Sequence, residues 1–227
     1  MMELDAVSKT YQQGRRTVQA VRGVSLRVEA GEFVVIMGPS GSGKSTLMHL
    51  LGALDTPTSG RALFQGQDLQ KLSDRQRSLL RRDRIGFVFQ AFNLLPTLTA
   101  AENVALPLLL GGQGRSAAAK RAAAALERVG LGDRTEHFPE ELSGGEMQRV
   151  AVARALVTGP EAVLCDEPTG NLDSATSRDV LALLRELPEA GRRSVVMVTH
   201  DPAAAAVGDR VVHIRDGQLV ADGERGA

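Results

Sequence analysis

Phe33-Val-Val-Ile-Met37 runs directly into Gly38-Pro-Ser-Gly-Ser-Gly-Lys44-Ser45. The first five residues form a continuous apolar run of the buried-strand type, and Lys44 to Leu51 is compatible with a helix, so the order is strand, loop, helix. The loop satisfies G-x-x-x-x-G-K-[ST], the P-loop pattern, in the setting that pattern requires. Its glycines let backbone N–H groups wrap phosphates, and the helix N-terminus adds positive potential. Lys44 reaches the outer phosphates and Ser45 offers its hydroxyl to Mg²⁺. An accidental glycine-rich turn is the competing reading, and the flanking strand and helix argue against it. The candidate nucleotide-binding stretch is therefore Gly38, Pro39, Ser40, Gly41, Ser42, Gly43, Lys44, Ser45 and Thr46.

Outward from this loop, further buried-strand runs occur at Ile85 to Phe89, Ala162 to Cys165 and Ser194 to Thr199, separated by segments of helical character. An open α/β core of parallel strands with crossover helices is the expectation. Upstream, Glu3 to Val7 and Ser25 to Glu29 alternate apolar and polar residues, with Gly14, Gly23 and Gly31 as punctuation, which reads as a small antiparallel sheet. Ser116 to Val129 is alanine-rich, with Ser116 as a candidate N-cap and Gly130 as the breaker. The helical middle is expected to be an inserted subdomain. Arg210 to Arg215 and Gln218 to Ala221 flank Asp216-Gly217, a hairpin signal. Internal repeats and low-complexity tracts are not seen; the alanines from Ala203 to Ala206 are too few to count.

The chain has 227 residues, with 43% hydrophobic and 24% charged, ordinary for a folded body in water. Lys plus Arg number 27 and so do Asp plus Glu, so net charge gives no reason to expect a nucleic-acid footprint. The single cysteine, Cys165, cannot form an intramolecular disulfide, and Met1 to Lys9 lacks the apolar core of a secretory signal; a reducing cytosol is the expectation. The most apolar stretch, Val104 to Leu110, is too short to cross a bilayer and contains Pro107, so any membrane role is expected to be peripheral.

Ala162-Val-Leu-Cys-Asp166-Glu167 is an apolar strand ending in two acids, which would reach the edge where ligands of open α/β sheets bind. Asp166 is the candidate for the Mg²⁺ shell, and Glu167 for orienting and polarising an attacking water. A solvated strand end is the alternative. Leu142-Ser-Gly-Gly-Glu-Met-Gln-Arg149 opens a second helix-compatible segment running through Ala155, so Ser143 and two glycines occupy a second anion-attracting helix N-terminus. By itself this is equally a helix cap with no ligand.

With LSGGE at Leu142 to Glu146 added to the P-loop, the chain resembles the ATP-binding-cassette (ABC) family over its whole length, with motifs in the family's order. The resemblance implies a P-loop NTPase (RecA-like) core, a single domain over residues 1–227. Residues 1–90 and 143–227 would form the core with its N-terminal antiparallel β subdomain, and residues 91–142 the inserted α-helical subdomain. It implies that Ser143, Gly144, Gly145 and Glu146 meet nucleotide held by the P-loop of a second copy, Ser143 and Gly145 binding the γ-phosphate in trans. Gln90 matches the loop residue that touches Mg²⁺ or water and reports nucleotide state. His200, after the strand Ser194 to Thr199, matches the switch histidine at the γ-phosphate. Asp173 in Gly-Asn-Leu-Asp matches the acidic loop crossing the dimer interface, and it is also read as a helix cap. Tyr11, the only tyrosine, sits at the position of an adenine-stacking aromatic, against a structural role in the small sheet. Lys44, Gln90, Glu167 and His200 are thus the expected catalytic set, and Ser45, Gln90 and Asp166 the expected Mg²⁺ set. His49, His137 and His213 lack ligand spacing.

The texture of SGSGKSTLMHLLGALD, FVFQAFNLLPTLTAAENV, LSGGEMQRVAVARAL and DEPTGNLDS resembles the macrolide-export and lipoprotein-release branch. The implied unit is a homodimer formed on ATP binding at the cytoplasmic face of the membrane. It would drive a transmembrane permease that docks near Gln90 to Leu98, without touching cargo or nucleic acid. Phe92, Leu94, Leu95 and Leu98 are expected to divide between subdomain core and permease contact. The alternatives are a non-transport ABC ATPase of DNA repair or translation, disfavoured by the compact cassette and neutral charge, and a regulator without turnover, disfavoured by Glu167 and His200.

Overall fold

The computed structural model of the chain describes residues 1–14, 16–187 and 193–220. In chain order its elements are β1 (Met2–Gln13), β2 (Arg16–Val28), β3 (Phe33–Met37), α1 (Lys44–Leu51), β4 (Ser59–Phe64) and β5 (Gln67–Asp68). They continue with α2 (Asp74–Arg84), β6 (Ile85–Phe89), α3 (Ala100–Leu110), α4 (Arg115–Arg128), α5 (Gly144–Leu156), β7 (Ala162–Asp166) and α6 (Ser174–Arg185). The last are β8 (Ser194–Thr199), α7 (Pro202–Ala205), β9 (Arg210–Arg215) and β10 (Gln218–Val220).

A mixed sheet of order β10-β9-β3-β8-β7-β6 forms the centre, with β9, β3, β8, β7 and β6 mutually parallel and only the β9–β10 hairpin antiparallel. The expected apolar runs are four of its parallel strands, β3, β6, β7 and β8. They are buried on both faces, and β3 alternates between two cores: Phe33 and Val35 pack toward the α3 to α6 side, Val34 and Ile36 toward α1 and the small sheet. This is why these strands read as continuous apolar runs.

The small sheet is antiparallel with order β2-β1-β4-β5. Its first two strands run longer than the alternating stretches suggested, and β4 and β5 join from beyond α1. Gln65 and Gly66 turn between these with φ of 51° and 79°. At the other end Asp216 and Gly217 turn with φ of 49° and 79°, the paired positive values of a tight hairpin. Ala221, the last residue of the expected second hairpin strand, lies outside the described residues.

Capping boxes start three helices: Ser73 with Gln76 at α2, Thr99 with Glu102 at α3, and Ser143 with Glu146 at α5. Helix α4 differs from expectation at its start. Gly114 takes the extended cap position and the helix begins at Arg115, so Ser116 lies inside the first turn and caps nothing. Its end is as expected: Gly130, with φ 71°, follows the last turn. Pro107 lies inside α3, and no helix among the described residues is long and apolar enough to cross a membrane.

Candidate functional site

Because β3, β6, β7 and β8 are parallel, their C-terminal ends lie along one sheet edge. Met37 pairs with Thr199, Asp166 with Val198, and Phe89 with Asp166. The residues that follow, Gly38, His200, Glu167 and Gln90, therefore converge from four strands separated in sequence. Open α/β sheets bind ligands at this edge.

After β3 the chain wraps into a loop whose conformation needs glycine. Gly41 and Gly43 have φ of 78° and 103°, and a Cβ on Gly43 would lie 2.4 Å from the Ala20 carbonyl oxygen. Lys44 is 5% exposed, and its Nζ donates to the carbonyls of Gly38 at 2.8 Å and Pro39 at 2.9 Å, so the ammonium is folded over the loop. The Ser42 hydroxyl is buried without a partner. Among the described residues the amides of Ser40, Gly41 and Gly43 bond to nothing in the chain. Unsatisfied donors around a buried cation make a cradle for an anion.

At the floor of the cradle Ser45 Oγ donates to Asp166 Oδ1 at 3.1 Å. Burial raises the Asp166 pKa, and the Ser45 hydroxyl works partly against it. The next residue, Glu167, stands between two cationic or donor groups: Oε1 is 3.9 Å from Lys44 Nζ, and Oε2 is 2.9 Å from His200 Nδ1. Its backbone is left-handed, with φ 44°. That conformation costs a non-glycine residue about 1–2 kcal/mol. Its amide donates to the Val198 carbonyl and its carbonyl accepts from the Gly170 amide, both at 3.0 Å. A carboxylate fixed beside a phosphate cradle is placed to orient and polarise a water molecule.

Gln90 follows β6, and its side chain is engaged with the loop after Glu167. Its Nε2 donates to Asn171 Oδ1 at 3.0 Å, and Asn171 Nδ2 donates back to the Gln90 carbonyl at 3.1 Å. Gln90 Oε1 makes no hydrogen bond among the described residues. Tyr11 is tied to the segment after α1: its hydroxyl donates to Asp55 Oδ2 at 2.9 Å, and Lys9 Nζ lies 5.0 Å from its ring centroid. Burial, then the Asp55 hydrogen bond, raises the Tyr11 pKa, while a hydrogen bond with Thr46 works against them. One side of the tyrosine ring is thus backed by Lys9, and the hydroxyl is tied to Asp55, beyond the end of α1.

The Leu142 to Glu146 segment packs against the start of α6 and the loop before it. Ser143 caps α5: its Oγ donates to Glu146 Oε2 at 2.7 Å and accepts from the Glu146 amide. The Ser143 amide, then its hydroxyl, and also Arg134 hold the Glu146 carboxyl below the usual range. Gly145 packs so closely on α6 that a Cβ there would lie 2.1 Å from Thr176 Cγ2, and Gly144 faces Leu172 and Phe92. No hydrogen bond among the described residues joins Ser143, Gly144, Gly145 or Glu146 to the loop from Gly38 to Thr46. Asp173 caps α6, accepting from the amides of Ala175 and Thr176 at 3.0 Å. The Thr176 amide, then its hydroxyl, and the Ala175 amide lower the Asp173 pKa.

Asn171, Gln148 and Arg154 at this edge, and Asp55 beside Tyr11, have structural roles that the sequence pattern does not show. Asn171 lies inside the quoted Gly-Asn-Leu-Asp and its pairing potential was the available signal. Arg154 on α5 donates to the carbonyls of Phe92 at 2.7 Å and Asn93 at 2.5 Å, and no sequence signal marks those acceptors.

The ABC transporter family model matches residues 21–170. An uncharacterized ABC transporter ATP-binding protein of Thermotoga maritima is 50% identical over 226 residues, covering 100% of this chain and 96% of its own. YvrO of Bacillus subtilis, also an uncharacterized ABC transporter ATP-binding protein, is 50% identical over 226 residues, covering 100% and 98%. The macrolide export ATP-binding/permease protein MacB of Syntrophobacter fumaroxidans is 51% identical over 221 residues; these are 96% of this chain and 31% of that protein, so the chain spans about a third of its length. The solved dimeric, post-hydrolysis structure of the ATP-binding cassette MJ0796 bound to ADP and Pi matches with a TM-score of 0.90 at 44% identity, covering 96% of each chain. On the matched residues, the identities and the shared fold, the chain belongs to the ABC transporter family, as an ATP-binding cassette with ATPase activity.

Proposed function

We propose that this cassette is the engine of an exporting or extracting ABC transporter, in which two copies close on two ATP molecules and drive a transmembrane permease. The observation that carries the reading is Glu167, held 2.9 Å from His200 and 3.9 Å from Lys44 beside the Ser45–Asp166 pair. Lys44 and the loop amides bind the outer phosphates, and Tyr11 offers its ring face to adenine. Glu167 polarises the water that attacks the γ-phosphorus; the bond to the bridging oxygen breaks, and ADP and inorganic phosphate leave. His200 steadies Glu167 and senses the γ-phosphate.

The residues fit Mg²⁺: a hydroxyl and a carboxylate oxygen 3.1 Å apart are hard ligands, and burial has already made the Asp166 charge unfavourable in the absence of a cation. Ser45 and Asp166 would hold it, with Gln90 supplying Oε1 to the ion or its water. The ion would neutralise charge on the β- and γ-phosphates.

That neither Ser143 nor Gly145 hydrogen-bonds, among the described residues, to the loop of its own chain supports the two-copy reading: the α5 N-terminus would meet the γ-phosphate bound by the partner, with Asp173 near the crossing. The dimeric MJ0796 structure and the joint ATP-binding and permease naming of MacB support the dimer and the membrane partner. In the segment after Gln90, Leu94 packs on the helical core while Leu95 is 44% exposed. That division suits a permease contact on the Leu95 side, and placement at the cytoplasmic face of the membrane follows from such a partner.

Glu167→Gln tests the reading. Turnover is expected to fall about a hundredfold or more, the scale of a positioned general base. ATP binding is retained, and the variant accumulates as an ATP-dependent dimer on size-exclusion chromatography. Wild-type turnover in this variant would exclude Glu167 from the hydrolytic step.

A further inference from the structure

Gln148 is a polar side chain with no solvent exposure, on the fifth residue of α5 in a core otherwise built of Val150, Ala151, Val152 and their neighbours. Its Nε2 donates to the Pro168 carbonyl at 2.6 Å and lies 3.4 Å from the Phe89 carbonyl. Its Oε1 has no partner. Both neighbours are carbonyls, so the NH₂ end must face them and the amide oxygen is left over. An apolar side chain of that size would bring no orphaned amide oxygen of its own but would leave the Pro168 carbonyl without its donor, so the value of glutamine here lies in its N–H groups.

Those carbonyls belong to the residues flanking the two site groups that leave the sheet edge, since Pro168 follows Glu167 and Phe89 precedes Gln90. Glu167 adopts its left-handed φ of 44° with its own amide bonded to Val198 and its carbonyl to Gly170. Strained residues persist when the surroundings over-determine them, and the bond from Gln148 to Pro168 fixes the following peptide as well. The same helix is capped by Ser143 one turn before Gln148.

We propose that Gln148 is a positioning residue for hydrolysis, holding the backbone of Glu167 and linking it to the helix that carries Ser143. The proposal rests on the reading of Glu167 as the residue that polarises water. A shift of α5 is then passed through one side chain to the carboxylate-bearing turn, without any change in the phosphate cradle.

The test is steady-state ATPase together with ATP affinity for Gln148→Met, which keeps length and packing and removes both donors. The kcat is expected to fall about ten- to a hundredfold, the scale of a misplaced reacting group, while the Kd for ATP stays within about twofold. Hydrogen exchange at the Gly170 amide, which closes the Glu167 turn, is expected to accelerate. A folded Gln148→Met with wild-type kcat overturns the proposal, as does a loss that falls on Kd as heavily as on kcat. If that variant does not fold, Gln148→Asn decides: it keeps the amide one methylene short of Pro168, and unchanged kcat overturns the proposal. Glu167→Gln separates the two claims. Wild-type turnover there removes the reading of Glu167, whereas an inactive Glu167→Gln beside a fully active Gln148→Met removes only the role of Gln148.

Discussion

Replacing Arg154 with methionine should loosen the segment after Gln90 while leaving the core of the cassette folded. Phe92 and Asn93 are both left-handed, with φ of 59° and 52°, an uncommon conformation for a bulky aromatic residue. Arg154 clamps that turn by donating to both of their carbonyls, and among the described residues it has no carboxylate partner. Each bond from a charged donor contributes about 1.5–3 kcal/mol. Against this stands the burial of a guanidinium without a counter-charge, which lowers the Arg154 pKa and carries a penalty of about several kcal/mol for a fully buried ion. Arg154 is only partly buried and the carbonyls can recruit water once freed, so the net loss is about 2 kcal/mol. That corresponds to roughly a thirtyfold shift in the opening equilibrium of the turn. Hydrogen exchange of the amides from Phe92 to Leu98 is the assay. Arg154→Met is expected to accelerate them by about that factor and leave β3 and β8 unchanged, with Arg154→Lys intermediate because it retains a charged donor. Unaltered exchange in folded Arg154→Met would show that the turn is held by its own local contacts.

Two further perturbations test the packing around the site. Burial alone would raise the Asp55 pKa, but hydrogen bonds from Lys9, the Thr56 amide and Tyr11 outweigh it and hold the carboxyl below its ordinary value. Stability from such a depressed group is complete above the unfolded pKa and is lost as pH falls through the folded one. Asp55→Asn should therefore lower the melting temperature at neutral pH, by an amount equivalent to about 1 kcal/mol for a partly exposed pair, and the gap should close in acid. A gap that persists unchanged below about pH 3 would contradict the linkage. Gly86 lies where α5 crosses β6, and a Cβ there would sit 2.5 Å from the Ala155 carbonyl oxygen. Gly86→Ala should force helix and strand apart and destabilise by about 1–3 kcal/mol in urea unfolding; a wild-type midpoint would show that α5 can shift freely.

The central fold was legible because its strands are buried on both faces. Phe33–Met37, Ile85–Phe89 and Ser194–Thr199 are apolar at nearly every position, and these runs became β3, β6 and β8 with the bounds expected. β4 and β5 carry no such signature, since Ser59–Phe64 and Gln67–Asp68 are short, partly exposed and flanked or interrupted by glycine. β4 is a strand because β1 is there to pair with, and β5 because β4 is. Ser116 misled for a related reason: a serine before an alanine run looks like a cap, but Gly114 adopts the extended cap conformation just before it.

The local chemistry is written in residue type and spacing alone. The glycines, Lys44 and Ser45 act within one turn of chain, and the Ser143–Glu146 and Asp173–Thr176 caps span three residues, so residue type and spacing suffice. How those pieces are wired together depends on packing across the chain. Gln90 meets Asn171 across 81 residues, Tyr11 meets Asp55 across 44, Arg154 reaches Phe92 across 62, and Gln148 holds Pro168 across 20. The physical reason is plain for Gln148 and Arg154: their acceptors are backbone carbonyls, which every residue possesses, so no side-chain identity in the sequence marks the partner before the sheet and α5 have packed.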